Sequence, residues 1–220
     1  LVARWRGRVA GMALLGEGYN ARAIEVAGVQ AGMPVGPLAL TDEVSLTLLA
    51  HIRKQTAEDL KAEGKQAPEH PSFAVAEKLL ELKRPGKAAG AGFYDYPQGG
   101  KKHMWSGLKD LFESKAPVNT DDVDRMKNEQ QEMIDRMMFI QAIETVRCLD
   151  EGVLRSVEDA NIGSIFGWGF APFKGGTLQF INDYGAKAFV ERAKQLHAKY
   201  GARFAVPASL EKIAAEGKEY

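Results

Sequence analysis

Apolar residues recur along this chain at intervals of three and four. Val2, Trp5, Val9 and Met12 open the pattern, which predicts a helix on residues one face apart, and Gly18 is placed to end it. Asn20 is a cap residue for a second helix, closed by Gly32. Thr41 and Asp42 predict the start of a longer helix with Leu48, Ile52 and Leu60 in its stripe and Gly64 beyond its end. Ser72 precedes a helix carrying Val75, Leu79 and Leu82, closed by Gly86. The stretch "GKAAGAGFYDYPQGGKKH" then reads as a Gly-rich loop, with "GFYDY" as a short extended piece.

The pattern resumes after Pro117, where Asn119 to Asp122 offer caps and first-turn acids. A long helix is predicted over Val123 to Asp150, with Met126, Met133, Ile134, Met137, Ile140 and Val146 as its apolar face. A short helix through Asp159 follows, then the turn "GSIFGWGFAPFKGG". Asp183 predicts the opening of a helix with Phe189, Ala193, Leu196 and Tyr200 on one face, ended by Gly201.

The two halves have the same order of elements. "FAVAEKLLELKRPGK" from Phe73 and "FAVPASLEKIAAEGK" from Phe204 share Phe-Ala-Val, later apolar positions and Gly-Lys, all at a spacing of 131 residues. "LLGEG" is matched by "CLDEG", and "GPLALTD" by "GTLQFIND" with one residue inserted. Agreement in order across four elements points to a tandem duplication; a period this long describes a repeated domain and not a solenoid. The expected boundaries are a first domain at 1–97, a linker at 98–120 and a second copy at 121–220.

Composition narrows the function without naming it. Lys plus Arg and Asp plus Glu each number 29 among 220 residues, so no net field draws the chain to nucleic acid or an anionic membrane. No apolar run approaches a membrane span. The single Cys148 fits a reducing, cytoplasmic setting. The chain starts on Leu1 with no initiator Met, which suggests a fragment or a processed chain.

The usual catalytic signatures are missing. "GAGFYD" at Gly90 lacks the third Gly of a dinucleotide loop, and "GWGFAP" at Gly167 has Pro172 in that place. His51, His70, His103 and His197 have no partner at metal-ligand spacing. Asp42–Glu43 and Asp121–Asp122 read as acids at helix starts. No nucleophile elbow occurs. Two stretches stand out: "GMPVGPLALTDE" and "GWGFAPFKGG" each place Gly, Pro and apolar residues ahead of a helix. In the first, Pro34 and Pro37 fix two backbone angles, Gly36 is free to take a positive φ, and Met33, Val35 and Leu38 are expected at a surface.

These residues resemble the C-terminal domain of 3-hydroxyacyl-CoA dehydrogenases. The pattern comprises Glu17-Gly18, Pro34, Gly36-Pro37, Asp42, Gly86, Gly90, Gly92-Phe93-Tyr94 and Tyr96, with a second copy in "RCLDEGVLRSVEDANIGSIFGWGFAPFKGG". The resemblance implies an all-α fold: two tandem copies of a helical domain like the C-terminal region of 6-phosphogluconate dehydrogenase, packed on one another. It implies that NAD and a catalytic His–Glu pair belong to a Rossmann domain outside this chain, so catalytic, cofactor and metal residues here are none. It implies a substrate-binding turn at Pro34, Val35, Gly36 and Pro37, walling the acyl pocket of an enzyme that oxidises 3-hydroxyacyl-CoA. A hydratase domain or a thiolase subunit is an expected partner. The contrasting expectation is a non-enzymatic helical interaction module derived from that domain.

Overall fold

The computed structural model describes residues 2–66, 69–114 and 122–220, with side chains from residue 9 onward within them. It is a helical protein. The helices are α1 (Val2–Gly16), α2 (Ala21–Gln30), α3 (Pro37–Val44), α4 (Leu46–Ala62), α5 (Pro71–Glu81), α6 (Gly107–Phe112), α7 (Val123–Asp150), α8 (Val157–Trp168), α9 (Thr177–Tyr184), α10 (Ala186–Tyr200) and α11 (Ala208–Glu216). One antiparallel pair, β1 (Tyr94–Asp95) with β2 (His103–Met104), joins Tyr94 to Met104. "GFYDY" is therefore extended as its alternation suggested, but with only two residues in the ladder.

Two compact units divide the chain, and they do not follow chain order. One gathers Leu1–Gly7, Gly28–Pro34 and Gln131–Tyr220; the other gathers Arg8–Ala27 and Val35–Gln130. We call them the C-terminal and N-terminal units after their larger segments.

The C-terminal unit is built around Phe139 of α7. Its ring stacks on Phe189 of α10 with centroids 4.1 Å apart and meets Phe180 and Tyr184 of α9 edge-on, geometries that aromatic quadrupoles favour. Two polar side chains of α7 tie it to later elements. Asp135 receives Arg192 at 2.8 Å, and Arg147 donates to the Ala205 carbonyl at 2.8 Å, tying the approach of α11 to α7. Met133 and Met137 of the expected apolar face are buried, as is Met138, whereas Met126 is exposed.

The N-terminal unit closes over Leu14, Leu15, Ile24, Leu38, Leu79 and Phe93, all fully buried. Two glycines of α1 let other elements come close. A Cβ on Gly11 would stand 2.7 Å from the Cβ of Pro37, and one on Gly16 would stand 2.8 Å from the carbonyl oxygen of Pro71.

Several boundaries differ from expectation. Thr41 and Asp42 do not open a helix. They lie buried inside α3, whose start is Pro37, and α4 begins after a break at Ser45. The buried residues of α4 are Leu46 and Leu49, while Leu48 is 48% exposed. The Asp42–Glu43 pair is thus not a first-turn pair. Asp183 likewise lies near the end of α9, and α10 starts after Gly185. Ser45 (φ 77, ψ 129) and Gly185 (φ 84, ψ 116) make the same turn. Helix α8 runs on to Trp168, so the second Gly-rich turn starts at Gly169 and not at Gly163. Phe73-Ala-Val lies in α5, but Phe204-Ala-Val precedes α11. Pro207 is the reason: it disfavours helical backbone in the residue before it, whereas Ala76 at the matching place lets α5 begin at Pro71. Pro117, Asn119 and Asp121 lie outside the described residues; Asp122 accepts from the Arg125 amide at 3.0 Å.

Candidate functional site

The substrate turn expected from the sequence runs into α3. Val35, Gly36 and Pro37 belong to the N-terminal unit, and Pro34 to the C-terminal one. Val35 is 37% exposed and Pro34 is exposed, while Gly36 and Pro37 are buried. Leu38 is fully buried, which corrects its expected place at the surface: as the second residue of α3 it points into the core instead. Gly36 has φ −61 and ψ 153, so its missing side chain does not serve a positive φ. It serves close approach, because the Cβ it lacks would fall on the Glu25 carboxylate.

Glu25, on α2, is the residue the sequence did not single out. Its Oε1 accepts the amides of Leu38 at 2.7 Å and Ala39 at 3.1 Å. Those are free amides of the α3 first turn, which Gly36 has no side chain to cap. Burial pushes the Glu25 carboxyl above its ordinary range, against the pull of those donors. A lone acid between Ile24 and Val26 was the available sign, since a buried carboxylate needs donors. Gly11 was missed as well, and with it the reason Pro37 can be buried.

Asp42 binds the other face of the same segment. Its Oδ1 accepts the Phe93 amide at 2.8 Å, and its Oδ2 accepts the Tyr94 amide at 2.9 Å and the Tyr96 hydroxyl at 3.0 Å. Burial raises the Asp42 carboxyl from its ordinary value, opposed by these hydrogen bonds. The Tyr94 and Tyr96 hydroxyls are raised too, by burial first and then by the neighbouring carboxylate. Arg84 completes the clamp. It donates to the Gly92 carbonyl at 2.8 Å and the Tyr94 carbonyl at 3.2 Å, pairs with Asp95 at 2.6 Å, and lies 4.1 Å over Trp105. The family-like Gly92-Phe93-Tyr94 with Tyr96 is therefore a segment fastened to α3 by one carboxylate.

The second Gly-rich turn repeats this construction. Asn161 of α8 accepts the amides of Leu178 at 2.9 Å and Gln179 at 3.1 Å, and Ser164 accepts that of Thr177 at 3.2 Å. Asn182 of α9 accepts the Tyr220 amide at 3.0 Å and donates to its carbonyl at 3.2 Å. The two Gly-rich turns also meet within the C-terminal unit. Gly32 has φ +97, and a Cβ there would lie 2.6 Å from Ala171 and Phe173.

These residues do not form a dinucleotide cradle. Gly90 follows a 3-10 turn, and the amides of Phe93 and Tyr94 downstream are taken by Asp42. Gly167 lies in the last turn of α8, where carbonyls and not amides are free. The starts of α3 and α9 are occupied by Glu25 and by Asn161 with Ser164. His70 caps α5, accepting the Ser72 amide at 3.3 Å, and is half-buried at a helix entry. Among the described residues no His/Cys/Asp/Glu group could hold a metal ion, and no helix is long and apolar enough to cross a membrane.

Known proteins resemble this chain in sequence and in fold. The family model described as 3-hydroxyacyl-CoA dehydrogenase, C-terminal domain, matches residues 8–96. The fatty acid oxidation complex subunit alpha of Vibrio vulnificus is 36% identical over 90% of this chain and 26% of its own length. That of Shewanella amazonensis is 36% identical over 94% of this chain and 28% of its own length. The chain thus spans about a quarter of the curated relatives it matches. In fold it is similar to a 3-hydroxybutyryl-CoA dehydrogenase from Escherichia coli, with a TM-score of 0.67 and 19% identity over 98% of this chain and 59% of the other. It is also similar to the dehydrogenase part of multifunctional enzyme 1 from C. elegans, with a TM-score of 0.55 and 15% identity over 93% of this chain and 46% of the other. The likeness to the 3-hydroxyacyl-CoA dehydrogenase C-terminal domain family model is carried by residues 8–96 of the 220-residue chain.

Proposed function

We propose that this chain is the C-terminal part of a multifunctional fatty-acid β-oxidation enzyme that oxidises 3-hydroxyacyl-CoA to 3-ketoacyl-CoA with NAD in the cytoplasm. NAD is held by a Rossmann domain outside this chain, which also brings the catalytic acid–base pair; a hydratase domain or thiolase subunit completes the assembly. The chain's own task is to wall the acyl pocket through Pro34, Val35, Gly36 and Pro37. The observation that carries this reading is the rigid seat of the turn: Val35 is left partly exposed while Gly36 and Pro37 beside it are locked against Glu25 and Gly11. A wall of this kind positions an acyl chain by shape and needs no charge of its own.

The chain is also a tandem duplication in this reading, with copies at 1–97 and 121–220. Its support is local and repeated. Glu25 and Asn161 each cap the third helix of their half, Asp42 and Asn182 each fasten the segment that follows the fifth, and Ser45 and Gly185 each make the intervening turn.

The test uses the complete polypeptide in steady-state kinetics, with acyl-CoA and NAD varied in turn. Gly36→Val is expected to raise the KM for acyl-CoA and leave that for NAD. A folded Gly36→Val enzyme with unchanged acyl-CoA kinetics rules out the wall, and a complete polypeptide that oxidises no 3-hydroxyacyl-CoA rules out the function.

A further inference from the structure

We infer that Glu25 is a positioning residue for the acyl-facing turn, acting from behind it through the start of α3. The inference rests on the reading of that turn as the acyl wall. Two contacts of one side chain carry it. Its Oε1 holds the Leu38 and Ala39 amides at 2.7 and 3.1 Å, which fixes where α3 begins. Its carboxylate occupies the space a Cβ of Gly36 would need, which fixes how deeply the turn sits.

Val35, one residue before Gly36, is carried by this arrangement. Removing the carboxylate leaves two amides without an acceptor and opens a gap behind Gly36. The turn then relaxes toward α2 and withdraws Val35 from the acyl chain. The effect falls on acyl-CoA and not on NAD, because Glu25 touches neither substrate and acts only through the turn.

Glu25→Ala, Glu25→Asp and Glu25→Gln are made in the complete polypeptide, and KM for acyl-CoA, KM for NAD and kcat are measured for each. Hydrogen exchange at Leu38 and Ala39 is followed in parallel. Glu25→Ala is expected to raise the acyl-CoA KM about 10- to 100-fold, the range a misplacement of about 1 Å produces, with the NAD KM within about twofold and protection lost at both amides. Glu25→Gln keeps the Oε1 acceptor and is expected to restore most of the loss. If Glu25→Ala does not fold, Glu25→Asp carries the test: its shorter side chain draws the cap back, and an intermediate rise in acyl-CoA KM is expected. A folded Ala or Asp variant that loses amide protection but keeps wild-type acyl-CoA kinetics overturns the inference while leaving the wall intact. If Val35→Ala and Gly36→Val also leave acyl-CoA kinetics unchanged, the wall itself has failed, and the inference with it.

Discussion

Glu25 and Gly36 compete for one space: the carboxylate of the first stands where a side chain on the second would begin. Gly36 sits at φ −61, which any residue can adopt. A substitution there is therefore opposed by crowding alone. Gly36→Val is expected to destabilise this chain by about 1–3 kcal/mol, the usual cost of overpacking, with a urea slope unchanged from wild type. A double variant with Glu25→Ala should recover part of that loss, since the obstructing group is gone. Equal and additive losses in chemical denaturation would show that the two residues do not share the space.

Asp42 serves three donors on the segment after α5. Asp42→Ala leaves the Phe93 and Tyr94 amides and the Tyr96 hydroxyl to find other partners, and is expected to cost about 2–4 kcal/mol. Hydrogen exchange at Phe93 and Tyr94 should accelerate before that of α1, reporting release of the segment ahead of global unfolding. A loss below about 0.5 kcal/mol would mean that water replaces the carboxylate without cost.

The buried carboxyls set a direction for pH. Glu25 and Asp42 are both raised above their ordinary values of 4.5 and 3.8, by burial first. Between the ordinary and the raised values the folded chain holds more protons than the unfolded one. The associated stability is fully present below the ordinary values and is lost as pH rises through the raised ones. Glu25→Gln removes one of the two titrations. The stability of wild type relative to Glu25→Gln is expected to fall as pH rises above the ordinary Glu25 value of 4.5 in urea titrations. A flat difference would show that Glu25 titrates alike in both states.

Ser45 and Gly185 make the same turn with different residues. At φ 77 and ψ 129, Ser45 is strained by about 1–3 kcal/mol, offset in part by accepting the Thr47 amide at 3.2 Å. Ser45→Gly is expected to gain about 1 kcal/mol net of glycine's entropy cost, and Gly185→Ser to lose about 1–3 kcal/mol. Thermal unfolding of the pair checks this; a loss in both variants would put the strain elsewhere.

What could be read from the sequence was local. Helix α7 was legible end to end because its apolar face, its acidic first turn and Gly152 all agree. The break at Ser45 was hidden, since Thr41-Asp42 looks like a cap and nothing nearby shows that Asp42 is needed by residues some fifty positions later. Pro37 looked like a turn residue, and it is one; that it also starts a helix depends on Gly11 making room and on Glu25 supplying the cap. Gly36 and Pro37 were legible as constrained turn residues. What holds them was not, because a carboxylate across a helix pair leaves no periodicity to detect.

Gly28–Pro34 pack in one unit with Gln131–Tyr220, and this separation bears on how the chain folds during synthesis. The short segment leaves the ribosome well before Gln131–Tyr220. Until then Gly32 has neither Ala171 nor Phe173 against it. The contact closes a loop of well over a hundred residues, whose entropy is lost before any packing offsets it. The slow step in refolding this protein should therefore be the capture of residues 28–34 by an already collapsed α7–α11 segment. Substitutions at Gly32 should slow that step more than they speed unfolding.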